Sequence, residues 1–131
     1  MNKRLPAEWE AQSAVQLTFP HKNSDWAPYL DEVIPCFVAI AEAISRFQKV
    51  LIVCDNVQEV QAHLKNIPAE KLILVKLPSN DTWARDHGAI TIEEDGEMTL
   101  LDFIFNGWGL KFAADKDNLI SYQLFEQETF K

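Results

Sequence analysis

Three features of this 131-residue chain predict an α/β fold built on a mixed sheet. Apolar runs alternate with segments of helical spacing in the order β-α-β-α-β. Two of those runs, Val50-Leu51-Ile52-Val53-Cys54 and Leu72 to Val75, are continuously apolar, as strands buried on both faces are. A later pair of runs is joined by Asp95-Gly96, a dipeptide suited to a tight hairpin turn.

Each element has its own signal. Ala14 to Phe19 alternates apolar and polar residues and reads as a short strand. Pro20 to Ser24 is a loop. Asp25 is expected to cap a helix that tolerates Pro28 in its first turn. Leu30, Val33, Ile34, Phe37, Ile40, Ala41, Ile44 and Phe47 follow at helical spacing. Pro35 interrupts this pattern, so it either kinks the helix or marks the first turn of its main segment. Asn56 with Glu59 resembles a capping box and opens a short helix to about Asn66. The loop from Pro78 to His87 leads to two strands, Ala89 to Glu94 and Glu97 to Phe103. Asn106-Gly107-Trp108-Gly109 is a turn-rich loop, and Asn118 to Gln127 is a short helix or loop.

Composition narrows the function. The net charge of −8 argues against nucleic-acid binding, which needs basic patches. The apolar runs are too short to span a membrane. The opening Met1-Asn2-Lys3-Arg4 leads into polar residues without an apolar signal core, so a cytoplasmic location is expected. Cys36 and Cys54 have no metal-site spacing and are expected to be reduced, buried and structural.

The densest chemistry lies in Asn80-Asp81-Thr82-Trp83-Ala84-Arg85-Asp86-His87-Gly88. A carboxylate beside an indole can seat a flat cation: the carboxylate accepts its N–H groups and the ring face attracts its charge. Arg85 is expected to hold the loop from behind. The alternative is a structural Arg–Asp pair on an exposed turn.

Four segments, in order, carry a resemblance. They are Arg4-Leu5-Pro6-Ala7-Glu8-Trp9-Glu10, Leu17-Thr18-Phe19-Pro20-His21, Trp83-Ala84-Arg85-Asp86, and Leu101-Asp102-Phe103 with Phe105 to Lys111. Together they resemble the agmatine deiminase and Porphyromonas-type peptidyl-arginine deiminase family. The resemblance implies the pentein fold, a propeller of five ββαβ modules around a central active site. Residues 1–131 would then be an N-terminal fragment of one such domain, covering the first module and part of the next.

The resemblance also implies a reaction. The family hydrolyses a guanidinium group with a Cys nucleophile, a His acid/base and two Asp residues, without metal or organic cofactor. The implied substrate is a small cationic guanidine, agmatine, converted with water to N-carbamoylputrescine and ammonia. Trp83 and Asp86 match the family's substrate-binding Trp and first guanidinium-binding Asp. Arg85 is structural by the same match, and Asp81 either orients the loop or simply forms its turn. Asn106 and Trp108 either lie near the substrate entrance or form a packed turn, and Lys111 is expected to pair with an acidic group. The nucleophile, acid/base and second carboxylate have no match here, so this chain alone is expected to be inactive. His87 is expected to be structural or solvated, His63 to be solvated on its helix, and His21 to order the first loop. Two rivals remain: peptidyl-arginine deimination, and a non-catalytic ligand-binding or self-associating domain that forms a homo-oligomer through an exposed module face.

Overall fold

The computed structural model describes residues 2–130. Its strands and helices are β1 (Lys3–Arg4), β2 (Ala14–Thr18), α1 (Leu30–Ser45), β3 (Lys49–Cys54), α2 (Val57–His63), β4 (Leu72–Lys76), α3 (Ala84–His87), β5 (Ile90–Glu94), β6 (Glu97–Leu101), α4 (Gly107–Leu110) and α5 (Ile120–Glu126). The expected mixed sheet is corrected to two separate sheets. β2, β3 and β4 pair in parallel in that order, while β1, β5 and β6 pair antiparallel. The sequence pattern reports strands but not which of them share a ladder.

The continuous apolar run of β3 is explained by burial on both faces. Val50, Ile52 and Cys54 point into a core with Ala41 of α1 and Val60 of α2. Leu51 and Val53 point the other way, into a second core with Val75, Leu77 and the α5 residues Ile120 and Leu124. Helices thus cover both sides of a parallel sheet, which leaves its strands no polar face.

Local signals set the ends of elements with some differences. Asn56 caps α2 by accepting the Glu59 amide at 3.2 Å, but α2 stops at His63 rather than near Asn66. Asp25 does not cap the first helix. A 3-10 turn, Ala27–Tyr29, precedes α1 with Trp26 at its cap position and Pro28 in its first turn, and Pro35 sits inside the continuous α1. Asp95 and Gly96 have φ of 51° and 91°, the twist a two-residue hairpin needs. β6 ends at Leu101, short of Phe103. β1 has too few residues to show any periodicity, and Arg4 ties it down by reaching both Glu10 and Glu93. The Arg4 hydrogen bonds hold the Glu10 carboxyl at a pKa of about 2.

Cys54 is buried as expected, and burial pushes its thiol up to about 11. Cys36 is exposed, because the residues that α1 buries are Val33, Ala41 and Ser45.

Candidate functional site

The loops that leave the carboxyl ends of β2 and β4 meet above the parallel sheet. Ligand sites of open α/β sheets commonly form at this edge. His21, after β2, places Nε2 3.0 Å from Ser79 Oγ after β4, and its Nδ1 accepts the Asn23 amide. His21 therefore orders the first loop, as expected. Trp26 Nε1 donates to Thr82 Oγ1 at 2.9 Å. These two bonds join loops that are 56 and 58 residues apart in sequence.

A buried carboxylate sets the start of the motif. Asp117 is 2% exposed, and its Oδ1 accepts the amides of Asn80 at 2.6 Å and Asp81 at 3.4 Å. In return, Asn80 Oδ1 accepts the amides of Lys116 and Asp117. Burial raises the Asp117 carboxyl above its ordinary range, opposed by the amides that donate to it. The loop is thus anchored by Asp117 and not, as expected, by Arg85. Arg85 is exposed and, among the described residues, reaches only Glu8, at 3.5 Å, across the surface.

Trp83 follows from this anchor. Asp81 Oδ1 accepts the Thr82 amide and Oδ2 accepts Trp83 Nε1, both at 2.9 Å, so the carboxylate orients the indole. One helical turn, α3, then carries Asp86, whose amide donates to the Trp83 carbonyl. Trp83 itself precedes the turn with non-helical backbone, and both side chains are exposed. The Asp86 side chain is exposed and lines neither of the two clefts described below.

His87 turns inward. It is 1% exposed, with Nε2 3.3 Å from Thr18 Oγ1 at the end of β2, and its carbonyl accepts Ser121 Oγ. Burial depresses its pKa, against the pull of Asp117 and Asp86. It is a structural residue below the site. His63 is exposed and stacks on Phe19.

The turn-rich segment after β6 winds the opposite way to an ordinary helix. Gly107, Trp108, Gly109 and Leu110 of α4 all have positive φ, from 56° to 76°. The Leu110 and Lys111 amides close it onto the Asn106 and Gly107 carbonyls, and Asn106 Oδ1 caps it through the Gly109 amide. Asn118 clamps the segment by two bonds to the Phe105 backbone. A non-glycine residue in this conformation costs roughly 1–2 kcal/mol. Trp108 is held there with its ring edge-on to Trp83, Phe105 and Phe112, at centroid distances of 5.9, 4.9 and 5.5 Å.

A cleft of about 490 Å³ results, lined by Asp25, Trp26, Tyr29, Asp81, Trp83, Trp108, Lys111 and Phe112. A smaller neighbouring cleft, about 170 Å³, shares Asp25, Asp81, Trp108 and Phe112. The structure therefore gathers Asp81, Trp83 and Trp108 from the sequence-derived set, with Asn106 as the cap behind Trp108. Lys111 makes no ion pair among the described residues and lies over the Phe112 ring at 5.6 Å. The expected acidic partner is thus replaced by an aromatic face. Asp25, Trp26, Tyr29, Asp117 and Asn118 were not anticipated here. Only Trp26, a large aromatic in a loop, carried any local signal.

Taken together, this is an α/β module with an acid- and aromatic-lined cleft at the carboxyl edge of a parallel sheet. Its sequence profile matches that of Porphyromonas-type peptidyl-arginine deiminase over residues 4–131, and the chain belongs to that family. A Lactococcus lactis protein assigned as an agmatine deiminase is 33% identical over 131 residues, covering 95% of this chain and 35% of that protein. Among solved structures, a C. jejuni agmatine deiminase variant with substrate bound superposes with TM-score 0.91 at 38% identity, covering 98% of this chain and 38% of its own. The agmatine deiminase of Enterococcus faecalis gives 0.80 at 29% identity, over 98% and 36%. The chain spans about a third of the length of the curated relatives it matches. Among the described residues, no helix is long and apolar enough to cross a membrane.

Proposed function

We propose that this chain supplies the first module, and part of the next, of a pentein-type propeller that hydrolyses agmatine to N-carbamoylputrescine and ammonia. The observation that carries this reading is that Trp83 and Asp86, joined by a backbone bond, are both exposed on the segment that follows the carboxyl end of β4. Asp86 offers a free carboxylate to the N–H fork of a guanidinium, and Trp83 offers a ring face to its charge. The nucleophile, the acid/base and the second carboxylate come from other parts of a longer polypeptide, so the 131-residue chain alone is inactive. Arg85, pointing to solvent, takes no part.

The cleft favours agmatine over a peptidyl arginine. It presents two carboxylates, Asp25 and Asp81, to a substrate whose second charged group is a cation. The deciding experiment compares ammonia release from agmatine and from an arginyl peptide, using a polypeptide of the relatives' length beside this chain. Release from agmatine by the longer form alone is expected. In that form Asp86→Asn lowers the rate by roughly a hundredfold or more, and Trp83→Ala mainly raises KM. Full activity in Asp86→Asn would refute the assignment.

A second reading has its own support. Phe103, Ile104 and Leu110 are 58%, 89% and 87% exposed, an apolar surface suited to self-association. A dimer on a sizing column, with no ammonia release from either polypeptide, would favour it.

A further inference from the structure

We propose that α1 is a self-association face. Its outward side packs antiparallel against the same helix of a second copy of this chain, across a two-fold axis at Ala39. The surface is separate from the cleft and independent of any guanidine chemistry.

α1 has two unlike sides. Val33, Ala41 and Ser45 face inward and are buried. Pro35, Cys36, Ala39, Ile40 and Ala43, with Phe47 just past the helix end, are exposed. Their spacing of three and four residues sets them along one stripe of the helix. Ile40 is 41% exposed and Phe47 85%. A helix covering one face of a sheet ordinarily turns charged and polar residues to water. Here the only charged residue between Glu32 and Arg46 is Glu42, which is half-buried and accepts from the Asn66 amide at 3.1 Å.

The charges at the two ends select the occupant. Asp31 and Glu32 lie at the amino end and Arg46 at the carboxyl end. All three are exposed and make no ion pair among the described residues. The helix dipole favours that order of signs, but it does not explain the uncharged stripe between them. Glu32 and Arg46 are each seven residues from Ala39. An antiparallel copy with its two-fold axis at Ala39 therefore sets each Glu32 opposite the other copy's Arg46. A parallel copy would set like charges together at both ends. Ala39 and Ala43 carry one methyl each, so the helix axes can approach closely at the crossing.

A chain of net charge −8 repels its own copies over most of its surface. Along this stripe the repulsion is smallest, and at its ends it becomes attraction. α1 starts from the loop that carries Trp26, so an antiparallel pair sends the two clefts to opposite ends. A single helix pair buries less than the standard interface of about 800 Å² per partner, so the dimer is weak and is sought at high protein concentration.

Cys36 supplies the probe. It is exposed, while Cys54 is buried with its thiol pushed up to about 11, so a maleimide reads Cys36. In the dimer the two Cys36 residues lie three residues either side of the axis, about 9 Å apart along it. A bismaleimide of that span should join the 131-residue protein into a covalent dimer, with a yield that rises with protein concentration. Arg46→Glu should lower the yield by about threefold or more, since two exposed pairs are lost at once. Glu32→Arg combined with Arg46→Glu should restore it, which damage to the fold would not do. A dimer on a sizing column without the cross-link, as association through Phe103 and Ile104 would give, overturns the inference. Cross-linking that Arg46→Glu leaves unchanged, or that the double reversal fails to restore, also overturns it. In a polypeptide of the relatives' length, loss of Cys36 labelling by a simple maleimide would mean that another segment of that chain covers the stripe, and overturns it as well. Failure of the deimination reading shows differently, as absent ammonia release with the cross-link intact.

Discussion

The two sheets of this molecule are stabilised in different ways. The parallel sheet is covered on both faces, and Val50, Ile52 and Val53 have no exposed surface at all. The antiparallel sheet and the segment after it leave Met98, Phe103, Ile104 and Leu110 more than half exposed. Burial holds the first region. The second is held by backbone devices: a two-residue turn, a left-handed turn at α4 and a clamp from Asn118. Neither region makes the cleft alone. Trp26 and Trp83 come from loops of the buried half, while Trp108 comes from the left-handed turn of the other.

The contrast makes ordered predictions. The largest effect belongs to the buried sheet: Ile52→Ala should lower stability in urea by about 2–5 kcal/mol. Ile104→Ala, the same chemistry at an exposed site, should change it by less than about 0.5 kcal/mol. Similar losses at both sites would erase the distinction. Next comes Gly107→Ala. Gly107 has φ of 59°, and an added Cβ would lie 2.2 Å from the Phe112 carbonyl oxygen. The turn should open, at a cost of about 2 kcal/mol or more from strain and overlap. The chemical shift of the Trp108 indole reports it.

Asp117→Ala strips two amides of a buried acceptor and should cost about 1–3 kcal/mol. Faster hydrogen exchange at the Asn80 amide is the specific readout, and unchanged protection there would mean another group holds the loop. A smaller effect depends on pH. The His87 pKa is lowered by burial, so the unfolded chain binds its proton more readily than the folded one. The contribution is fully present above the unfolded value of about 6.5 and is lost as pH falls below it. Urea midpoints at mildly acidic pH should drop, and His87→Gln should flatten that slope. The smallest effect is Arg85→Ala, which should leave the urea midpoint within error, since its ion pair with Glu8 lies open to solvent.

Much of the fold was legible from pattern. The double burial of β3 is written in five successive apolar residues, the capping of α2 in Asn56 and Glu59, and the hairpin in Asp95-Gly96. These signals are local, so periodicity and turn chemistry suffice to read them. The separation of the sheets was not legible, because ladder membership depends on residues far apart, such as Lys3 with Glu94. The exposure of Cys36 was missed because helical spacing does not say how wide a stripe the sheet will cover.

The site divides along the same line. The sequence by itself determined the reacting vocabulary: an indole, a carboxylate and a fixed cation within four residues, in a set of segments that resembles one family. Tertiary structure alone decided their surroundings. It sent Arg85 to solvent and His87 to the interior, and it brought Asp117 under the Asn80 amide from 37 residues away. It also placed Asp25, Trp26 and Trp108 around Trp83. The physical reason is that a motif fixes which groups lie within three or four residues of one another. Which distant groups close over them depends on how the sheets and loops bury their own polar atoms, and no spacing in the sequence encodes that.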